Sequence, residues 1–402
     1  MPGDFFLSTA RLTAVARRMA RGIREGMAAE DAEVACLPTY VPVERIPRNG
    51  RLLVLDLGGT HIRCAQTSLS GSKLLLEKGP VREALIRSGQ TRLSQEAFLD
   101  RLASVVQGLA PEPELAVGYC FSYPARPSSD GDAVLLRWTK EFFVSDTVGR
   151  KVGEMLCRRL STERRPFFCR SVRVINDTVA ALLAGMAAAE ADGHIGLVVG
   201  TGTNMALAAR AEDIPKIIDP MPAGRVLPVN LESGNFFPPH LTEWDAALDA
   251  GSENPGGQRL EKAVSGRYLA RLAALCMPDT DLDAGSGAAG VFEKAFGGAA
   301  GSTEEKELAR AVVDRSARLV AASLAGAILF LADLRPLKSF SITAEGGLFH
   351  GHPVYRETVE HVLEAVLAEL DRPGLSFEIR QVPHATLLGA AIAGLSGQEE
   401  EK

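Results

Sequence analysis

The sequence predicts an α/β protein built from two related halves, and three observations carry that prediction. Strand-like apolar runs alternate with helical patterns along most of the chain. Two segments, LLVLDLGGTHIRCAQ and HIGLVVGTGTNMALA, repeat one order of apolar strand, Gly/Thr turn and apolar strand. The length of 402 residues suits two or three domains and a large core.

Residues 8–30 place apolar positions at helical spacing with basic residues between them, the pattern of a helix with a solvated charged face. CLPTYVPVERIPRNG is Pro-rich and reads as a linker. Residues 52–57 form a strand, Gly58-Gly59 a turn and 62–66 the returning strand. Further strands are expected at 115–123 and 172–175, the latter running into NDT and an Ala-rich helix over 178–189. A strand at 195–199, a turn at 200–204 and a returning strand at 205–209 complete the second hairpin. Helical patterns then dominate: LEKAVSGRYLARLAAL, 304–334, 353–370 and the small-residue stretch 384–395, with a strand at 339–343. The Gly/Ala/Asp-rich stretch 279–302 reads as a loop with a short helix, and QEEEK as a frayed tail.

Composition excludes several classes. Lys+Arg 44 against Asp+Glu 50 gives net charge −6 and argues against a nucleic-acid partner. The uncharged apolar stretch 319–332 is shorter than the roughly 20 residues of a membrane helix and reads as a buried core helix. Residues 1–30 lack the apolar run of a secretion signal. Cys36, Cys64, Cys120, Cys157, Cys169 and Cys276 contain no CxxC pair, so reduced, mostly buried thiols in a cytoplasmic protein are expected.

The two Gly/Thr turns are the first chemical signal. Glycine lets backbone N–H groups approach an anion, and threonine adds a hydroxyl donor. Gly58-Gly59-Thr60 and Gly200-Thr201-Gly202-Thr203 either close plain hairpins or hold the phosphates of one nucleotide from two sides, and their joint presence favours the nucleotide. No GxxxxGK[ST] loop and no protein-kinase signature is present. Asp56, at the end of an apolar strand, either caps the turn or holds Mg²⁺ through water. Asn176-Asp177-Thr178 either caps a helix or sets a general base at a strand end.

The segments LPTYV, LDLGGTHIR, FSYP, WTKEF, INDTVAALLAG, GLVVGTGTNMA, VNLESGNF, ENPGGQRLEKAVSGRYL and ITAEGGLFHGHPVY follow one another across nearly the whole chain. In this ordered series the chain resembles the hexokinases of the glucokinase-containing, actin-like sugar-kinase superfamily. The resemblance implies two actin-like (ribonuclease H-like) α/β domains with an interdomain cleft. Residues 1–45 would form an N-terminal helix and linker, 46–175 the small domain and 176–397 the large one, the terminal helix at about 384–396 being able to pack back on the small domain. It also implies a cytoplasmic, Mg-ATP-dependent hexose 6-phosphotransferase whose partners are a small-molecule hexose and ATP, without nucleic acid or membrane.

By the same resemblance Asp177 is the general base and Lys140 lies near the attacking hydroxyl and the γ-phosphate. Together with these two, the sugar pocket takes Ser122, Thr139, Asn176, Asn204, Glu232, Gln258 and Glu261, with Gln258 and Glu261 at i, i+3 on one helical face. The nucleotide site takes Gly58, Gly59, Thr60, Arg63, Gly200, Thr201, Gly202 and Thr203, with Gly346, Gly347, Thr386 and Gly389 near the adenosine, and Asp56 holding Mg²⁺ through water. Sugar is expected to close the cleft and exclude water.

Three departures from the family pattern stand out: His61 where Asn is usual, Ser233-Gly234-Asn235-Phe236 where Trp-Gly-Ala-Phe is common, and Glu345 where Asp is usual. The second adjoins Glu232 and bears on which hexose fits. The alternatives are a kinase for an N-acetylhexosamine, mannose or fructose on the same fold, or a sugar sensor without catalysis.

Overall fold

The computed structural model describes residues 2–396 apart from 44–45, 48, 60, 72, 86–90, 140–141, 162–166, 218–220, 223, 278–286, 299–300 and 373. Helix α1 (Thr9–Ala28) begins at Ser8, whose hydroxyl accepts the Arg11 N–H. Strand β1 (Leu37–Pro38) follows. Then β2 (Asn49–Leu57), β3 (His61–Ser70) and β4 (Lys73–Ala84) run as an antiparallel meander. After β5 (Arg92–Leu93) come α2 (Gln95–Leu109), β6 (Glu114–Phe121), β7 (Ala125–Pro127), β8 (Ala133–Leu135), β9 (Phe143–Val144), α3 (Val152–Leu160) and β10 (Phe168–Ile175). The resulting five-stranded sheet has the order β10-β6-β2-β3-β4, with β6 parallel to both β2 and β10.

Helix α4 (Asp177–Ala188) leads into β11 (Gly193–Val199), β12 (Thr203–Arg210) and β13 (Val226–Asn230). Helices α5 (Glu243–Ala250), α6 (Arg259–Val264), α7 (Gly266–Cys276), α8 (Gly287–Phe296) and α9 (Thr303–Leu334) come next. Strand β14 (Ser339–Glu345), α10 (Pro353–Glu369), β15 (Ser376–Arg380) and α11 (Ala385–Ser396) complete the described chain. The six-stranded sheet is ordered β1-β13-β12-β11-β14-β15, with β14 parallel to β11 and β15 to β14. Setting β1 aside, both sheets follow one plan: a three-stranded meander whose first strand is extended by two parallel strands. The similarity between the two hairpins in the sequence is therefore a repeat of topology.

The helix after each sheet crosses to the other. α4 packs on the six-stranded sheet and α11 on the five-stranded sheet, and the two helices pack on each other. Their interface is a small-residue seam. A Cβ on Gly389 would lie 2.0 Å from the Ala180 carbonyl oxygen, and one on Gly118 of β6 would lie 2.0 Å from the Ala390 carbonyl. Only glycine permits these approaches. The core between the sheets joins Leu52, Val54 and Cys120 to Val179, Leu183, Leu388 and Ile392.

One expectation is corrected, that all the cysteines are reduced, while the first 45 residues and helix α9 prove to be parts of the core. In the former, α1 buries Val15, Met19 and Ile23 in the same core as α9, β1 pairs with β13, and Cys36, Val41 and Val43 are buried. Sequence periodicity reports a helix's apolar face and not what covers it. Cys157 and Cys169 are joined in a disulfide and only Cys36, Cys64, Cys120 and Cys276 are free. Their spacing matches no motif because the pair is set by the packing of α3 on β10, the strand that follows it. Helix α9 includes a window long and apolar enough to cross a bilayer by length and composition, yet 78% of that window is buried inside the molecule. A bidentate pair from Arg315 to Asp245, at 2.6 and 2.9 Å, ties this helix to α5.

Candidate active site

Strand β10 ends in the buried residues Val174 and Ile175, and the chain turns at Asn176 into α4. Asn176 is the N-cap: its Oδ1 accepts the Thr178 N–H at 2.9 Å and the Thr178 hydroxyl at 2.7 Å. Asp177 is the first helical residue, and its Oδ1 also accepts the Thr178 N–H at 2.9 Å. The cap and the carboxylate are thus neighbouring residues at the strand end.

Both residues line a cavity of about 270 Å³ between the sheets. Ser122, which follows β6, and Thr139 border it from one lobe; Asn204 of β12, Glu232, Gln258 and Glu261 border it from the other. Thr201, Gly202 and Thr203 border the same space. Two expected residues, Lys140 and Thr60, lie outside the described residues.

The second lobe presents its polar groups through a connected set of hydrogen bonds. Asn204 Nδ2 donates to Asn230 Oδ1 at 2.7 Å, and Asn230 Nδ2 donates to Glu232 Oε1 at 2.8 Å. Glu261 Oε2 accepts the Thr203 N–H at 3.1 Å and lies where a Cβ on Gly202 would be, only 2.5 Å away. The second glycine turn and the pocket carboxylate are thereby built as one piece. Gln258 departs from the expected helical face: α6 starts at Arg259, and Gln258 is its N-cap in the left-handed region at φ 51°. Its placement comes from Asn254, whose Nδ2 donates to Gln258 Oε1 at 3.0 Å. Buried Lys262 holds that loop by donating to Asp249 Oδ1 at 2.6 Å and to the Asn254 carbonyl at 2.8 Å.

On the nucleotide side, the first turn is closed by the Gly58 N–H on the His61 carbonyl at 3.0 Å. Asp56 is 3% exposed. Its Oδ2 accepts from the Arg63 guanidinium and, at 3.0 Å, from the Thr386 hydroxyl, which itself accepts from Arg63 at 2.8 Å. Burial pushes the Glu345 carboxyl up to about 7, against the pull of Arg63 and with Asp56 adding to the rise. Burial and the nearby Arg82 and Arg63 hold His61 below the usual histidine value. Gly346 sits at φ 113° with its Cα side against the Val199 carbonyl, while nothing lies within 4 Å of a Cβ built on Gly347. Gly200 faces this pair: a Cβ built on it would lie 3.5 Å from the Gly346 Cα and from the Gly347 nitrogen. Gly389 is displaced from the expected role: it is buried in the α4–α11 seam, where its missing side chain serves helix packing.

The sequence reading passed over several residues. Trp138 lines the cavity, lies in an aromatic cluster 4.7 Å from Tyr123 and 5.2 Å from Phe142, and its indole donates to Thr147 Oγ1 at 2.9 Å. It anchors the segment that carries Thr139, and its place within WTKEF was the available signal. Asn235, Glu253, Arg267 and Tyr268 also line the cavity. Asn230 gave no signal beyond standing two residues before Glu232.

Two sequence profiles described as hexokinase match the chain, one over residues 2–187 and the other over 194–296 and 300–396. Hexokinase-7 of Oryza sativa subsp. japonica is 30% identical over 95% of this chain and 93% of its own length. Hexokinase-1 of Nicotiana tabacum is 29% identical over 92% of this chain and 84% of its own. Among solved structures, a hexokinase from Schistosoma mansoni complexed with glucose superposes with a TM-score of 0.79 at 23% identity, covering 98% of this chain and 97% of that one. The ROK hexokinase from Thermus thermophilus gives a TM-score of 0.55 at 21% identity, over 87% and 100% of the two chains. The structural likenesses establish the fold of two actin-like sugar-kinase domains, and the sequence matches establish the rest: the chain belongs to the hexokinase family and is a sugar-phosphorylating enzyme.

Proposed function

We propose that this hexokinase transfers the γ-phosphoryl group of ATP to the 6-hydroxyl of D-glucose, with Asp177 as general base. One observation carries the reading: a single cavity gathers Ser122, Thr139, Asn176 and Asp177 with Asn204, Glu232, Gln258 and Glu261. Amides, hydroxyls and carboxylates in this density suit a polyhydroxylated ligand, because carboxylates accept strongly from hydroxyls and amides both donate and accept.

In this mechanism Glu232, Glu261 and the amides bind the ring hydroxyls, and the primary hydroxyl meets Asp177. The Asp177 carboxylate takes the hydroxyl proton as the sugar oxygen bonds to the γ-phosphorus, and the bond from that phosphorus to the bridging oxygen breaks to release ADP. Base assistance of this kind contributes about 10²–10⁴-fold, and positioning and charge neutralisation supply the remainder. Thr201 and the backbone around Gly59 and Gly202 would hold phosphate oxygens, with Gly347 open toward the nucleoside; Thr203 spends its N–H on Glu261 and its hydroxyl on the Val198 carbonyl, and the Gly58 and Gly200 N–H groups close their own turns. Lys140 is the proposed cation beside the transferring group.

Among the described residues no cluster of three His, Cys, Asp or Glu side chains could cage a metal. A single buried carboxylate at the cleft is the donor set that suits Mg²⁺, which keeps most of its waters and takes one or two carboxylates with phosphate oxygens. Asp56 fits that role through water. The ion, when bound, neutralises charge on the β- and γ-phosphate oxygens.

The test is a coupled assay for glucose 6-phosphate beside ADP release on a panel of hexoses and N-acetylhexosamines. The expected result is glucose turnover, with Asp177→Ala lowering kcat by about 10²-fold or more while sugar binding stays detectable. A higher kcat/KM on an N-acetylhexosamine than on glucose rejects the glucose assignment, and retained kcat in Asp177→Ala rejects the base.

A further inference from the structure

The strands that frame the pocket set Asn204 and Asn230 against each other. Ala206 of β12 pairs in register with Asn230 of β13, so Asn204, two residues nearer the cavity, faces the turn that carries Glu232. Both ends of the Asn204 amide are engaged there. Its Oδ1 accepts the Met205 N–H at 2.7 Å, the Ser233 N–H at 3.0 Å and the Ser233 hydroxyl at 3.3 Å. Its Nδ2 donates to Asn230 Oδ1 at 2.7 Å and more loosely to Thr178 Oγ1 at 3.4 Å. These contacts fix which end of the Asn230 amide is the oxygen. Asn230 is only 3% exposed, and it clasps Glu232 twice: its Nδ2 donates to Oε1 at 2.8 Å, and its Oδ1 accepts the Glu232 N–H at 3.3 Å. Glu232 needs such a clasp, because its backbone lies at φ 53° and ψ 40°, a left-handed conformation that costs a residue with a side chain about 1 kcal/mol or more.

We propose that Asn230 is a positioning residue for the reaction: it orients the Glu232 carboxylate toward the sugar, with Asn204 and Ser233 as its anchor. The inference rests on the reading of Glu232 as a sugar ligand. Ser233, one of the departures from the family pattern, thereby acquires a task, since its hydroxyl and N–H both hold the anchoring amide. Glu232 grips the ring and not the reacting oxygen, so loss of its orientation acts on sugar affinity and leaves the chemical step intact.

The decisive variant is Asn230→Asp. It keeps the shape and the acceptor for Asn204, but it replaces the donor facing Glu232 Oε1 with a second carboxylate oxygen. Two carboxylates at hydrogen-bond distance share one proton. At pH 5.5 the shared proton restores the clasp, and at pH 8 repulsion turns Glu232 away. Relative to wild type, KM for the sugar should be within about threefold at pH 5.5 and raised about tenfold or more at pH 8, with kcat within about threefold at both. A merely structural role would give a ratio that does not vary with pH. Sugar titrations followed by tryptophan fluorescence, with Trp138 in the pocket wall, give the affinity independently of turnover.

Asn230→Ser carries the test if the first variant fails to fold: its hydroxyl, set back from both amide atoms, is too short to reach Glu232. It should raise KM about tenfold at unchanged kcat, and Asn230→Ser with Glu232→Gln should bind no worse than Glu232→Gln alone. If Glu232→Gln raises KM while both Asn230 variants track wild type, the positioning role is overturned and the sugar-ligand reading stands. If Glu232→Gln leaves KM unchanged, both fall.

Discussion

Glu345 shows what one extra methylene does at a crowded charge site. It stands at the end of β14, where it meets Asp56 and Arg63 of the other sheet, and burial raises its carboxyl to about 7. The folded protein then binds this proton more tightly than the unfolded chain does. The group costs nothing while protonated, and stability falls as pH rises from about 4.5 to about 7. In nucleotide-free protein without divalent ions, Glu345→Gln should therefore raise Tm at pH 8 and leave it nearly unchanged at pH 4.5. Scanning calorimetry across that range checks this, and a variant whose Tm tracks wild type at every pH contradicts it.

At the scale of elements, α4 and α11 couple the chemistry to the fold. α4 carries Asp177 at its first turn, and α11 carries Thr386 at its own, against Asp56. The two helices touch along the Gly389–Ala180 approach, so Asp177 and the Asp56 cluster are held relative to each other by close packing. Gly389→Ala inserts a methyl where 2.0 Å is available. It should destabilise by about 1–3 kcal/mol or more and lower kcat along with Tm. A nucleotide contact at Gly389 predicts a different result, a raised KM for ATP at unchanged Tm, and the two measurements together separate these cases. The segment over Asn254–Gln258 depends in the same way on Lys262 and Asp249, a buried pair at 2.6 Å. Lys262→Ala leaves Asp249 with only Arg259 as a charged partner and should cost about 3–5 kcal/mol. It should also weaken sugar binding through Gln258, which sugar titration of the folded fraction would register.

The whole molecule is two sheets of one topology facing each other across a cleft, with each sheet's following helix packed on the other. The pocket's polar groups come from both lobes, so a sugar that contacts them all draws the lobes together and excludes water from the transferring group. Small-angle scattering should show a smaller radius of gyration at saturating glucose than without it. An unchanged radius at saturation counts against closure.

The sequence by itself determined the strand hairpins and the Ala-rich helices, because alternation, helical periodicity and glycine turns are local properties of the chain. Asp177, Asn176, Glu232 and Glu261 were legible through the resemblance of their motifs to the hexokinase family, and all four line one cavity. Tertiary structure alone decided what covers what. It assigned Gly389 to a helix seam, made Gln258 a left-handed cap and not a helical residue, joined Cys157 to Cys169, and drew α1 into the core of the second sheet. It also placed Asn230 against Glu232 through the register of β12 on β13. The seam, the burial of α1 and the place of Asn230 depend on residues far apart in sequence or paired across strands, the disulfide and the Gln258 cap on how neighbouring segments pack, and a linear pattern carries no record of the partner.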